Sequence, residues 1–244
     1  MASGFRERTT LLVGDAGMEK LAASRVCVFG LGGVGAAAAV DLARAGVGRI
    51  VACDFDEVGE SNLNRLAFGY RRFLGMPKAL AFAEVARDIN PEAEVDARPL
   101  FVSGAGAADA IPPGCDFYLD CIDSLNAKAN LIAALSRAGL PFASSMGMGG
   151  RLDPSRIRMG SIWEAVGCPL ARAVRQRLRR FGVAETAAVP CAWSDEKPAA
   201  PGDPVPPRPD LPGRPRRSQG SAPFVPQAAG HLLASYAVRR ILSR

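Results

Sequence analysis

Apolar residues in this chain come in two rhythms. Arg25 to Gly30 (RVCVFG) and Arg49 to Cys53 are short apolar runs, one stopping at glycines and the other at Asp54. Continuous runs of this kind, with no polar alternation, predict strands of a parallel sheet buried on both faces. Between them, Val34 to Ala45 is alanine-rich and predicts a helix. Strand, tight glycine turn, helix and strand make one βαβ unit.

The alternation continues. Pro77 to Asn90 has helical spacing, with Leu80, Val85 and Ile89 among its apolar positions and a stop at Asn90-Pro91. Glu94 to Arg98 and Phe117 to Ile122 predict strands. Leu125 to Ala138 predicts a helix after Asp123-Ser124, and Pro141 to Ser145 a further strand before the glycines of Gly147 to Gly150. The fold class that follows is α/β: a Rossmann-like, doubly wound, mostly parallel sheet. A C-terminal helical and loop extension completes it, dividing the chain at 1–160 and 161–244.

In that extension Leu170, Val174, Leu178 and Phe181 form one apolar helical stripe. Arg172, Arg175, Arg177, Arg179 and Arg180 occupy the rest of that helix, either as a solvated face or as a contact for phosphate backbone. Residues 198–220 hold eight of the 19 prolines, with Arg208, Arg214, Arg216 and Arg217 interspersed. Proline density denies this stretch helix and sheet, so a mobile extended loop is expected. Phe224 to Leu242 resumes as a final amphipathic helix, with Leu232, Leu233, Tyr236 and Ile241 available for packing.

Composition narrows the class. With 244 residues and 48% hydrophobic content the chain buries a sizeable core, which excludes a disordered protein. Cys27, Cys53, Cys115, Cys121, Cys168 and Cys191 contain no C-x-x-C pair, so reduced thiols in the cytoplasm are expected rather than a disulfide framework. No leader and no membrane insertion are expected, since the first residues are charged and Leu31 to Val51 is interrupted by Asp41, Arg44 and Arg49. A net charge of +6 suits a polyanionic partner without requiring one.

The chemistry starts at the turn Gly30-Leu31-Gly32-Gly33-Val34-Gly35, which matches G-x-G-x-x-G between strand and helix. Glycines allow the tight turn and let the backbone approach a nucleotide, while the helix N-terminus offers free N–H groups to an anion. Asp54 ends the next strand, where a carboxylate can accept ribose hydroxyls. The turn alone would favour a dinucleotide dehydrogenase. The residues after it do not: Asp56, Ser61-Asn62-Leu63-Asn64-Arg65, Lys78 and Asp120-Cys121-Ile122-Asp123 are more polar groups than hydride transfer needs. They suit a triphosphate, with Arg65 and Lys78 neutralising phosphate oxygens and Asp123 holding Mg²⁺. Taken singly, Lys78 could be a solvated side chain and Asp123-Ser124 only a helix cap.

The order G-x-G-G-x-G, D-x-D, S-N-L-x-R, K and D-x-x-D resembles the adenylating superfamily of ubiquitin-activating, molybdopterin-synthase-activating and thiamine-pathway enzymes, over about Arg8 to Gly150. The resemblance implies that residues 1–160 bind ATP and adenylate a carboxylate. It implies that Asp54 holds the ribose and that Asn62, Arg65 and Lys78 bind the phosphates. Asp56 and the glycines Gly30, Gly32, Gly33 and Gly35 belong to the same nucleotide set. It further implies that Asp123 positions Mg²⁺ and that Arg8 acts as an arginine finger across a homodimer interface. Leu66 departs from the glutamine that often follows the motif's arginine.

Within that superfamily, the branches serving sulfur carriers usually carry zinc on two C-x-x-C pairs, so no zinc is expected here. Cys168 and Cys191 read as inert buried thiols. Arg8 to Gly14 (RTTLLVG), Gly147 to Pro154 (GMGGRLDP), Cys168 to Leu178 (CPLARAVRQRL), Ser194 to Pro198 (SDEKP) and Gly220 to Gly230 (GSAPFVPQAAG) resemble the tRNA threonylcarbamoyladenosine dehydratases instead. That resemblance implies ATP-dependent cyclisation of threonylcarbamoyladenosine beside the anticodon through an adenylated carboxylate. Its partners would be tRNA, a second copy of the chain and a sulfur-transfer or cysteine desulfurase-type protein. The sequence does not single out which arginines would touch RNA; if the helix docks it, Arg172, Arg175 and Arg179, which share one helical face, are the set whose change to Gln should weaken tRNA binding. The alternative is adenylation of the C-terminus of a ubiquitin-like sulfur carrier.

Overall fold

The computed structural model describes residues 4–104, 106–200, 202–205, 216–217 and 219–244. Seven strands form one sheet in the order β3-β2-β1-β4-β5-β7-β6. They are β1 (Arg25–Phe29), β2 (Arg49–Cys53), β3 (Glu94–Arg98), β4 (Phe117–Asp120), β5 (Phe142–Ser145), β6 (Ile157–Ser161) and β7 (Pro190–Ser194). All neighbours pair parallel except β6 and β7, which are antiparallel. The helices are α1 (Glu7–Ala23), α2 (Gly33–Ala45), α3 (Lys78–Ile89), α4 (Leu125–Arg137), α5 (Pro169–Arg180) and α6 (Phe224–Leu242).

Successive strand residues face opposite sides, so each central strand feeds two cores. Val26 and Val28 of β1 join a core built with α1, α2, α3 and α6. Cys27 and Phe29 join the other, with α4 and α5. The continuous apolar runs are therefore covered on both faces, as their pattern requires. Helix α6 lies so close to α2 that a Cβ on Gly230 would stand 2.8 Å from Cβ of Ala37. Small residues on both helices, Gly230 against the alanines of α2, permit that approach.

Three features depart from expectation. Helix α1 is not among the expected elements; it contains a break at Gly14, whose φ of 74° lies in the left-handed region. Strands β6 and β7 are not among them either. Strand β6, with Arg158 and Gly160, lacks the apolar signature of the central strands, while β7 buries Cys191, Ala192 and Trp193 but opens on Pro190 and is fixed by its pairing between β5 and β6. The third departure concerns residues 198–220. Pro204–Val205 (β8) and Arg216–Arg217 (β9) pair antiparallel there, so the stretch is not wholly without sheet. A two-stranded ladder has only edges, where a proline can keep its carbonyl bonded while lacking an N–H. The rest of the expected mobile loop lies mostly outside the described residues. Its two ends meet at Gly150, whose carbonyl accepts from Ala199 N at 2.7 Å and whose amide donates to Gly220 O at 2.7 Å.

Candidate functional site

The strand order reverses between β1 and β4, and parallel sheets of this type hold ligands outside the carboxyl ends of the strands at such a point. There the ends of β1, β2, β4 and β5 open into one cleft of about 670 Å³. Gly30, Gly32, Gly33, Asp54, Asp56, Asn62, Arg65, Lys78 and Asp123 all line it. Sequence positions spread over nearly a hundred residues thus converge, because each follows a strand that ends at the same edge.

The glycine turn is dictated by close approach. Gly30 has φ +85°, and a Cβ there would sit 2.9 Å from the carbonyl oxygen of Cys121 on the neighbouring strand end. Gly35, one turn into α2, faces Gly30 so closely that any Cβ would overlap its carbonyl oxygen. Gly32 differs: a Cβ there would meet no protein atom, and the free space belongs to the cleft. Two glycines therefore serve packing, and Gly32 leaves room for a ligand.

Helices α2, α3, α4 and α5 all begin at this cleft, at Gly33, Lys78, Leu125 and Pro169, and none has a side-chain cap. Uncapped helix N-termini present unpaired N–H groups and the positive end of each helix dipole. At α3 the first amide is taken by Asp56 O at 2.9 Å, so the ends of α2, α4 and α5 are the ones that suit a polyanion. Asp123-Ser124 is accordingly not a simple cap. Ser124 occupies the N-cap position of α4 without a capping bond, and Asp123 is exposed in the cleft with no partner among the described residues.

Asp54 braces the turn. Its Oδ2 accepts from Leu31 N at 2.5 Å and its Oδ1 from Asp56 N at 2.8 Å. Burial holds its carboxyl above the ordinary range, opposed by the Lys78 ammonium and by the amides of Asp56 and Leu31. Lys78 is not a solvated side chain. Only 6% exposed, it places Nζ 3.2 Å from Asp56 Oδ2 and 4.0 Å from Asp54 Oδ1, at the first position of α3. A buried cation at a helix N-terminus opposes the helix dipole, an arrangement that stability alone disfavours. Arg65 spans the rim: its Nη1 donates to Ser61 O at 2.6 Å and Asn64 Oδ1 at 3.0 Å, and its stem lies 3.3 Å from where a Gly33 Cβ would be. Leu66 is buried in the core, so the departure from glutamine is a packing residue. Phe55 and Phe101 meet edge-to-face at 4.8 Å beside Asp54 and give the cleft an aromatic wall.

Arg8 stands apart. It is exposed on α1 and does not line the cleft of its own chain. The arginine face of α5 is also not what its spacing implies. Arg175 is half-buried and donates to Ile162 O at 2.9 Å and Ala165 O at 2.6 Å. Arg179 pairs with Glu185 at 2.7 Å and lies over the Trp163 ring. Two of the three arginines that share the candidate RNA face are thus engaged in tying α5 to the segments around it. Arg172 and Arg180 are exposed, with no partner among the described residues.

Sequence reasoning alone overlooks Lys128. It is fully buried beneath the cleft, with Nζ 2.6 Å from Asp120 Oδ2 and 3.0 Å from Ser144 Oγ. Its signal is present in the chain: Lys128 shares the buried face of α4 with Leu131, Ile132 and Leu135, where a charge needs a reason. The thiols are all free; burial pushes Cys121 and Cys191 up to about 12, which makes both poor nucleophiles.

Known proteins resemble this chain in sequence and in fold. A tRNA threonylcarbamoyladenosine dehydratase of Escherichia coli is 36% identical over 204 residues, covering 80% of this chain and 76% of that protein. One of Bacillus subtilis is 36% identical over 191 residues, covering 78% and 74%. The crystal structure of E. coli tRNA N6-threonylcarbamoyladenosine dehydratase, TcdA, in complex with ATP superposes with a TM-score of 0.88 at 32% identity, covering 99% of this chain and 96% of that one. The model of the ThiF family matches residues 6–242, and the chain belongs to that family.

Proposed function

We propose that this protein is an ATP-dependent tRNA threonylcarbamoyladenosine dehydratase. The observation that carries the reading is the cleft at the sheet's switch point, where the uncapped N-termini of α2, α4 and α5 converge with Lys78 and Arg65 on space fit for a triphosphate. The relatives with that activity, matched over most of both chains, supply the second substrate. In this reading the ribose hydroxyls bond to Asp54, the base lies along Phe55 and Phe101, and Asn62, Arg65 and Lys78 hold phosphate oxygens. The free carboxylate of the threonyl group attacks the α-phosphorus and pyrophosphate leaves. A neighbouring group of the same side chain then attacks the acyl carbon, the ring closes and AMP departs. The net change is loss of water from the nucleoside.

Among the described residues no group of three acidic, histidine or cysteine side chains forms a self-contained metal site. Asp123 still fits Mg²⁺, which usually takes one or two carboxylates, waters and the substrate's phosphate oxygens. The ion would offset charge on the phosphates. We place the protein in the cytoplasm with its tRNA substrate, in keeping with its free thiols. No helix among the described residues is long and apolar enough to cross a membrane. A sulfur-transfer partner would have to engage the outer surface, because Cys168 and Cys191 are buried.

Incubation with ATP, Mg²⁺ and tRNA carrying the open form of threonylcarbamoyladenosine, followed by nucleoside mass spectrometry, tests the reaction directly. A product lighter by one water, with matched AMP and pyrophosphate, is expected. Pyrophosphate release only with a sulfur-carrier C-terminus would replace this reading with the alternative adenylation.

The active unit is a homodimer in which Arg8 serves the neighbouring cleft. Leu11 and Leu12, one helical turn from Arg8, are 79% and 84% exposed, an apolar face that suits a second copy. Asp123→Ala should lower AMP formation on the order of 10²–10³, and Arg8→Ala should be similarly impaired. Mixed Arg8→Ala and Asp123→Ala chains should recover activity, since one site of each heterodimer is whole. No recovery despite proven subunit exchange would remove Arg8 from the partner's site.

Within α5, the exposed arginines suit RNA better than the tethered ones. Changing Arg172 and Arg180 to Gln should weaken tRNA binding and leave ATP binding alone. The slope of log K against log salt should fall by roughly 0.7–0.9 per lost phosphate contact. Arg175→Gln should instead lower the melting temperature, because its guanidinium latches α5 to the carbonyls of Ile162 and Ala165. An unchanged salt slope in the Arg172/Arg180 variant would leave those arginines as a solvated face.

A further inference from the structure

Arg151 lies in the Gly147–Pro154 stretch that the nucleotide chemistry leaves unused. It lines the cleft with Met146, Met148 and Leu170, past the end of β5 and three strands along the sheet from the β2 end that carries Asp54. Its side chain is 3% exposed and rigidly held: Nε donates to Glu196 O at 2.9 Å, and Nη1 to Gly147 O at 2.5 Å and Gly149 O at 3.2 Å. The third nitrogen, Nη2, is buried and has no partner among the described residues. No carboxylate among them pairs with this guanidinium; the nearest acidic residue in its network, Glu196, spends both side-chain oxygens on the amides of Leu152 and Asp153. A buried cation without a counter-ion is costly, and so is a buried donor without an acceptor. Three carbonyls fix the guanidinium in place, yet none of them neutralises it.

The same wall holds the start of α5. Cys168 gives no cap and Pro169 has no N–H, so Leu170, which lines the cleft, carries the first N–H of that helix without an intrahelical partner. An unpaired buried guanidinium and an uncapped helix end at one end of the cleft both call for an anion. They are separate from Lys78 and Arg65, which serve the phosphates at the other end.

We infer that the Arg151 guanidinium, in the wall of the cleft, and the first turn of α5 hold the carboxylate of the second substrate before it is adenylated. The inference rests on the function proposed above and names the group that recognises its reacting carboxylate. The physical need is plain. The reaction must bring a carboxylate up to a triphosphate, and two like charges repel across a few ångströms. A fixed cation on the carboxylate's side offsets that repulsion and orients the attacking oxygen. Once the acyl phosphate bond has formed, the substrate oxygen no longer carries its charge, so the hold on it weakens as the ring closes. Met146, Met148 and Leu170 supply apolar surface for the rest of the substrate's side chain.

The test uses the full-length protein with a non-hydrolysable ATP analogue and two probes, N-carbamoyl-L-threonine and its methyl ester. The free acid should bind more tightly than the ester by on the order of 10- to 100-fold, the worth of one charge-assisted hydrogen-bonding group. Arg151→Gln should bring that preference close to one and raise the KM for tRNA, with ATP affinity unchanged. Arg151→Lys should restore part of the preference. Equal binding of acid and ester by the wild-type protein overturns the inference without any variant, and Arg151→Lys carries the arginine-specific comparison if Arg151→Gln does not fold. Equal binding of acid and ester, or a preference that survives Arg151→Gln, overturns the inference while tRNA cyclisation by the wild type keeps the proposed function. An Arg151-dependent preference for acids in a protein that does not cyclise the tRNA would keep the anion site and overturn the function.

Discussion

Lys78→Met is expected to reduce AMP formation by on the order of 10²–10³, the usual loss when one preorganised charge is taken from a phosphoryl-transfer site. The expectation follows from where Lys78 sits. Its ammonium is buried at the start of α3, between Asp54 and Asp56, so its charge acts in a poorly screened part of the cleft. The variant should also shift a pH profile. Burial raises the Asp54 carboxyl above its ordinary range, and Lys78 is the largest influence pulling it back down. Without that cation Asp54 takes up its proton at a higher pH. With Asp54 ionised at the ribose, as proposed, ATP affinity should therefore fall away sooner as the solution is acidified. Near wild-type AMP formation, or an acid limb that does not move, would remove Lys78 from this role.

Much of this site is legible along the chain itself, and the reason is local. The glycine turn, Asp54 and Asp123 each sit at a strand end marked by a run of apolar residues, and parallel pairing brings such ends together. Helix α3 spans Lys78–Ile89, inside the limits set by Pro77 and Asn90, and α6 runs over Phe224–Leu242 as its pattern implies. What escapes is decided by distant partners. Strand β7 is recognisable only beside β5 and β6. Arg175 and Arg177 look alike along the chain, yet only Arg175 finds the carbonyls of Ile162 and Ala165. Arg151 depends on Glu196, far along the chain, for one of its three carbonyl partners. Such contacts leave no periodic trace.

Lys128 belongs to the same group, and its removal should have the largest effect on stability. Lys128→Met takes away one side of a fully buried ion pair and leaves Asp120 and Ser144 without their cation. Breaking such a pair from one side typically costs about 3–5 kcal/mol, because the remaining charge is neither paired nor solvated. Asp120 also accepts from Ile122 N at 3.1 Å, which fixes the turn carrying Asp123 into the cleft. The pair therefore ties fold to site: β4, α4 and β5 meet at it, and the proposed metal-holding residue hangs from it. Replacing both partners, as Asp120→Asn with Lys128→Met, should recover much of the loss, since asparagine keeps an oxygen for Ile122 N without burying a charge. Urea unfolding of the single and double variants measures both effects. A single variant as stable as the wild type would mean that the pair contributes nothing net, and a double variant no better than the single would mean that the charge left behind is not the cause.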